Sequence, residues 1–153
     1  MSFKGTTRRS RTDIEVEVEN LGAQLNAYTS REQTVYFAQV LKENVPQAID
    51  LLADIITNSK LADEHIEAER SVILQEKEFV ESEPEEVLFD YLHAAAFQGS
   101  PLARTILGPE RNIKSIGATE LRNYIDAHYR PPRMALCAAG GVKHQELVAG
   151  NWL

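Results

Sequence analysis

The hydrophobic period of this chain changes from two to about 3.6 part-way along, and that change limits what it can fold into. Ala23–Ser30 alternates, with Ala23, Leu25 and Ala27 set against Gln24, Asn26 and Tyr28. Glu32–Leu41 is rich in Thr, Val, Tyr and Phe, so the two segments read as an antiparallel hairpin turning near Ser30–Arg31. Helical spacing then takes over. Val45–Asn58, with Pro46 in its first turn, carries Val45, Ala48, Leu52, Ile55 and Ile56 on one face. Ala62–Glu81 reads as a long helix, and Pro84 marks the start of another over Glu85–Phe97.

The flanking segments complete a mixed pattern. Thr12-x-x-Glu15 has the spacing of a capping box, Ile14, Val18 and Leu21 form the apolar edge behind it, and Gly22 is the stop. Gly99–Pro109 is a loop, and Leu121–Tyr129 is a short helix closed by Pro131-Pro132. Arg133–Ala139 reads as a small-residue strand ending in Gly140-Gly141, expected to join the sheet of the hairpin. Lys143–Val148 begins a further helix. The expected class is α+β, a mostly antiparallel sheet with helices packed on one face.

Composition excludes several functions. At 153 residues, with no internal repeat or Gly/Ser linker, one domain is expected. The single cysteine, Cys137, excludes an internal disulfide framework and favours a reducing compartment. No apolar run approaches the ~20 residues that span a bilayer. Residues 61–90 hold eleven acids against Arg70 and Lys77 alone, a face that repels nucleic acid and suits a basic partner. Residues 1–12 carry Lys4, Arg8, Arg9 and Arg11 and no acid. Such a stretch resembles a mitochondrial transit peptide, but Gly5-Thr6-Thr7 is poor helix material.

Two groups of carboxylates stand out. On the long helix Ala62, Ile66, Ile73 and Val80 share a narrow arc, and Glu69 and Glu76 fall inside it, seven residues apart. Acids on a core-facing stripe need a wet edge, an ion-pair partner or a metal. The next helix places Glu86, Asp90 and His93 at i, i+4 and i+7, with Phe97 on the same side. A Glu and an Asp one turn apart either sit on a solvated surface or fork a guanidinium. His65, His93, His128 and His144 have no mutual metal-ligand spacing, and there is no phosphate loop or nucleophile elbow.

A set of separated motifs resembles the pitrilysin-type (inverzincin) zinc metallopeptidases. They are Phe3-Lys4-Gly5-Thr6, the run Leu21–Glu32, Leu51–Ile55, Glu69-Arg70-x-Val72-Ile73-Leu74-x-Glu76 and Asp90-x-Leu92-His93-Ala94. Arg104–Pro109 and Tyr129–Met134 narrow the resemblance to the β-type subunits that process mitochondrial presequences. It covers residues 1–148 and leaves 149–153 as an unmatched tail.

The resemblance implies a zinc endopeptidase of the mitochondrial matrix, or of the matrix side of the inner membrane, that cleaves basic presequence peptides beside a glycine-rich α partner subunit. It implies Glu76 as a zinc ligand, Glu69 as a supporting acid of the catalytic site, Asn26 and Ala27 as substrate-binding residues on a sheet edge, and Glu86 and Asp90 as the acids that hold a substrate arginine. The family's two His ligands and general base lie on an H-x-x-E-H helix, and no such motif occurs in this sequence. The matched part is therefore expected to be an incomplete N-terminal peptidase-like domain, lacking the first strand and that helix and inactive alone. Gln75 and Ala103 stand where the family pattern has Arg and Gly. Two other readings share the resemblance: a non-catalytic core scaffold subunit of the ubiquinol–cytochrome c reductase complex, and a domain that binds basic peptides without cleaving them.

Overall fold

A computed structural model describes residues 1–150 as two compact units. The first comprises residues 1–27, 36–61 and 120 onward; the second comprises 28–35 and 62–119. The α+β class expected from the sequence is the class observed.

In the first unit α1 (Arg11–Asn20) is opened by Ser10, not Thr12. The Ser10 hydroxyl accepts from the Asp13 N–H at 3.1 Å, and the Asp13 carboxylate accepts from the Ser10 N–H at 2.8 Å. Ser10-x-x-Asp13 satisfies two orphan donors reciprocally, as Thr12-x-x-Glu15 would have done two residues later. Gly22 then takes φ +59, a left-handed turn that costs glycine nothing. Strands β1 (Gln24–Thr29) and β2 (Thr34–Gln39) form the hairpin, and the Ser30 N–H donates to the Gln33 carbonyl across its turn at 2.8 Å.

Helix α2 (Val45–Thr57) supplies most of the core. Ile14, Leu51 and Ile55 are its centre, with Phe3, Val18 and Leu25 packed around them. Helices α1 and α2 thus share their apolar sides with β1. The buried face of α2 includes Ala48 and Ile55 as read from the sequence, but it is turned toward Leu51 and Asp54, while Leu52 is only half-buried.

The second unit is helical. It contains α3 (Asp63–Ser82), α4 (Pro84–Ala96) and α5 (Glu110–Ser115), with α3 packed against both of the others. Ile66 and Ile113 are its buried apolar residues among those described. Leu61, the last residue of the first unit's middle segment, is left-handed at φ +48, a strained conformation held by a side chain that is 6% exposed. Two further helices, α6 (Ala118–His128) and α7 (His144–Ala149), follow. The tail read as unmatched begins at the end of α7, and Asn151–Leu153 lie outside the described residues.

The strand expected at the C-terminal side of the chain is corrected. Arg133–Ala139 forms no strand, and the sheet among the described residues has two strands only. Pro131–Arg133 is a 3-10 turn, and the residues beyond it, mostly exposed, meet no ladder to donate to or accept from. Residues 1–12 are built into the first unit: Thr6 is fully buried, Tyr36 Oη lies 3.2 Å from both Ser2 Oγ and Tyr129 Oη, and Arg8, Arg9 and Arg11 are held by acids.

Candidate functional site

The acids of α3 come first. No side chain caps this helix at Ala62, and Asp63 and Glu64 occupy its first turn, where the positive end of the helix dipole favours them. Along the stripe, Ile66 is buried, Glu69, Ile73 and Val80 are half-buried, and Glu76 is exposed. Glu76 itself is exposed and bears no cost of burial, so of the two acids only Glu69 retains the anomaly the periodicity raised.

Beside Glu69 stands Arg70, a residue sequence reasoning passed over. Its Nη1 donates to the Ile113 carbonyl, its Nη2 to the Ile116 carbonyl at 3.0 Å, and its Nε to Glu67 at 3.0 Å. A planar guanidinium meets two carbonyls that the end of α5 leaves unsatisfied, and so ties α5 to α3.

A zinc ion needs four donors, commonly His or Cys, arranged tetrahedrally. Among the described residues no three of His, Cys, Asp and Glu are grouped to hold a metal. His93 Nδ1 is engaged 2.8 Å from the Phe89 carbonyl, and His128 lies against Arg133. Glu69 and Glu76, about 10 Å apart along one helix, do not form a zinc site with the residues present.

Helix α4 begins at Pro84, whose missing N–H would have been an orphan in any case. Glu86 is exposed and Asp90 follows one turn later on the same side. The spacing leaves open a solvated surface or a forked guanidinium. A guanidinium is present, and it is the chain's own: Arg31, in the hairpin turn, donates from Nη2 to Asp90 Oδ1. The Arg31 side chain is 15% exposed, and its Nε is buried with no hydrogen-bond partner among the described residues. Further along, the His93 and Phe97 rings lie 5.7 Å apart.

In the first unit Asn26 is exposed and Ala27 half-buried on β1. The Ala27 N–H donates to Asn26 Oδ1 at 2.8 Å. Among the described residues the sheet has two strands, and no third strand pairs with the outer edge of β1.

The deepest charged group was not singled out from the sequence as a candidate. Asp54 on α2 is 1% exposed, and accepts from the Thr6 hydroxyl at 2.7 Å, Arg9 Nη1 at 2.8 Å and Asn58 Nδ2 at 2.9 Å. Arg9 also bridges to Glu17 at 2.7 Å and Asp50 at 2.7 Å. Burial pushes the Asp54 carboxyl up, but the hydrogen bonds from Thr6, Arg9 and Asn58 outweigh it and hold it below the usual range. Hydrogen bonds from Arg9 and Arg8 lower Asp50 likewise. The hydrogen bond to Glu17 does most to hold Arg9 above the ordinary arginine range. The signal was present in the sequence: a basic stretch at 1–12, and Asp50 and Asp54 spaced i, i+4 in a mostly apolar helix.

The family profile described as "Insulinase (Peptidase family M16)" matches residues 1–110. The chain belongs to peptidase family M16. A second profile, "Peptidase M16 inactive domain", matches residues 115–149 of this M16 chain. Human mitochondrial-processing peptidase subunit beta is 57% identical over 148 residues, covering 97% of this chain and 30% of the relative. The Neurospora crassa subunit is 58% identical over the same length, and a probable Arabidopsis thaliana subunit 56%, with 31% and 28% of those relatives covered. The M16 chain thus spans about 30% of the length of these relatives. The crystal structure of a protease from Helicobacter pylori has the same fold, with a TM-score of 0.85 at 21% identity over 96% of this chain and 36% of that one. The resemblance read from the motifs is this family.

Proposed function

We propose that this chain is part of a zinc metalloendopeptidase that cleaves the presequences of proteins imported into mitochondria. Its identity of 57% over 148 residues to a mitochondrial-processing peptidase β subunit carries that reading. Residues 1–148 are then part of an N-terminal peptidase domain. In the mitochondrial matrix, or on the matrix side of the inner membrane, it works with a glycine-rich partner subunit. Glu76 is a zinc ligand of the whole enzyme and Glu69 its supporting acid, a role that needs donors the described residues do not bring to them.

The part the chain's own residues perform is peptide binding. An extended peptide adds to the free edge of β1 at Asn26 and Ala27, where main-chain hydrogen bonds supply affinity without reading sequence. Separately, within the second unit, Glu86 and Asp90 on α4 read an arginine of a bound peptide, in a segment whose acids outnumber its bases. Hydrolysis also requires an activated water and a general base. The H-x-x-E-H motif that carries the family's two His ligands and base does not occur in this sequence, and the role proposed for this chain is to bind without cleaving.

The test is fluorescence anisotropy with a labelled, arginine-bearing amphipathic peptide, alongside an analogue with its arginines changed to glutamine. Saturable binding of the first, weakened about two- to fivefold by E86Q, is expected for an exposed charge pair. Equal binding of both peptides, or turnover of either by the pure chain, contradicts the reading.

A further inference from the structure

Asp90 is already occupied. Its carboxylate takes Nη2 of Arg31, a guanidinium delivered from 59 residues away by the hairpin turn. The side chains are 15% and 29% exposed, so the pair lies at the margin of solvent, where a competitor can reach it. The contact is also incomplete. Arg31 Nε is buried without a hydrogen-bond partner among the described residues, so the guanidinium does not have the full set of acceptors that would hold it in place. Glu86, one turn before Asp90 on α4, is exposed.

We propose that Arg31 is a specificity-determining residue that competes internally for the arginine-binding face of α4. The inference rests on the peptide-binding role given above to Glu86 and Asp90. An arriving arginine meets Glu86 first. It engages both acids only by displacing Arg31 from Asp90, exchanging one guanidinium for another of the same charge and shape. The exchange sets a threshold. A peptide presenting one arginine gains little over the internal contact, whereas one that offers a second basic residue displaces it. Lysine, with no planar fork, competes less well.

The experiment compares binding of the labelled arginine peptide to the unaltered chain, R31Q, R31Q/D90N and R111Q. The last removes an exposed arginine of α5 and controls for net charge. R31Q is expected to tighten binding about fivefold, D90N to cancel that gain, and R111Q to leave binding unchanged. Binding to the unaltered chain that R31Q leaves the same or weakens, or an equal gain in R111Q, overturns the role of Arg31 and leaves the peptide-binding reading standing. Absence of binding in the unaltered chain and R31Q alike overturns the peptide-binding reading itself, and this inference with it. If R31Q does not fold, the unaltered chain suffices. The Arg31 Nε–H resonance is expected to shift as peptide is added, and an unmoved resonance at saturation overturns the proposal.

Discussion

Arg9 Nη1 lies 2.8 Å from Oδ2 of Asp54, a carboxylate whose side chain has no exposed surface, and the contact joins the N-terminal segment to α2. Two buried charges of opposite sign gain less from each other than their separation suggests, because both have lost water. Removing one is another matter, since the survivor is left desolvated.

D54N is therefore expected to destabilise the chain by about 3 kcal/mol, the range seen when one partner of a buried pair is removed. Urea denaturation at neutral pH, followed by circular dichroism, measures it. A loss below about 1 kcal/mol would mean that Arg9 finds sufficient partners in Glu17 and Asp50.

Thr6 sits at the same junction. Its hydroxyl donates to Asp54 and accepts from the Arg8 and Arg9 N–H groups at 3.1 and 2.9 Å. T6V keeps the shape and removes all three bonds in a fully buried position, at an expected cost of about 1–3 kcal/mol. T6S, which keeps the hydroxyl, should recover most of that stability. Equal losses in the two variants would assign the effect to the methyl group instead.

Acid should unfold this unit early. Asp50 and Asp54 are both held below the usual carboxylate value near 3.9. Groups lowered on folding stabilise fully above the unfolded value and lose that contribution as pH falls through the folded one. The urea midpoint should thus be level from about pH 7 to 5 and fall steeply below about pH 4. Arg9, raised on folding, would lose its contribution only far into alkali. In D54N the acid limb should flatten; an unchanged limb would place the titration elsewhere.

R70A should free α5 from α3, since two carbonyls at Ile113 and Ile116 lose their donor. Hydrogen exchange at residues 110–116 is expected to speed by about tenfold or more, as for a lost charge-assisted bond. Unaltered exchange would show that burial of Ile113 alone docks the helix.

Zinc and chelator should leave the melting temperature of the chain unchanged within about 2 °C, and so should E76Q, whose side chain is exposed. A rise of several degrees with equimolar zinc, lost in E76Q, would reveal a site the described donors do not form.

Much of this was legible in the sequence because local rules and the fold agree. The long helix is Asp63–Ser82 where periodicity and Pro84 placed Ala62–Glu81, and the hairpin and α2 fall where the period changes. Elsewhere, partners distant in sequence decided the outcome. Ser10 and Thr12 both offer a cap, and Ser10 forms it, with Asp13 completing the box. The buried side of α2 turns toward Leu51 and Asp54 because Thr6 and Arg9 arrive from 45 or more residues away. Arg133–Ala139 has strand composition but no ladder to join. α5, six residues long, is too short to show a period. At the candidate site the acids of α4 were visible as a pair one turn apart. Their internal partner was not, since Arg31 reads in sequence only as a turn residue.

The most direct measurement is a single experiment on the pure chain with an arginine-bearing presequence-like peptide and equimolar zinc. Anisotropy reports binding and mass spectrometry reports the peptide's length over the same hours. The account predicts saturable binding that weakens in E86Q, tightens in R31Q and leaves the peptide intact. Cleavage of the peptide, or binding indifferent to Glu86 and Arg31, would contradict it.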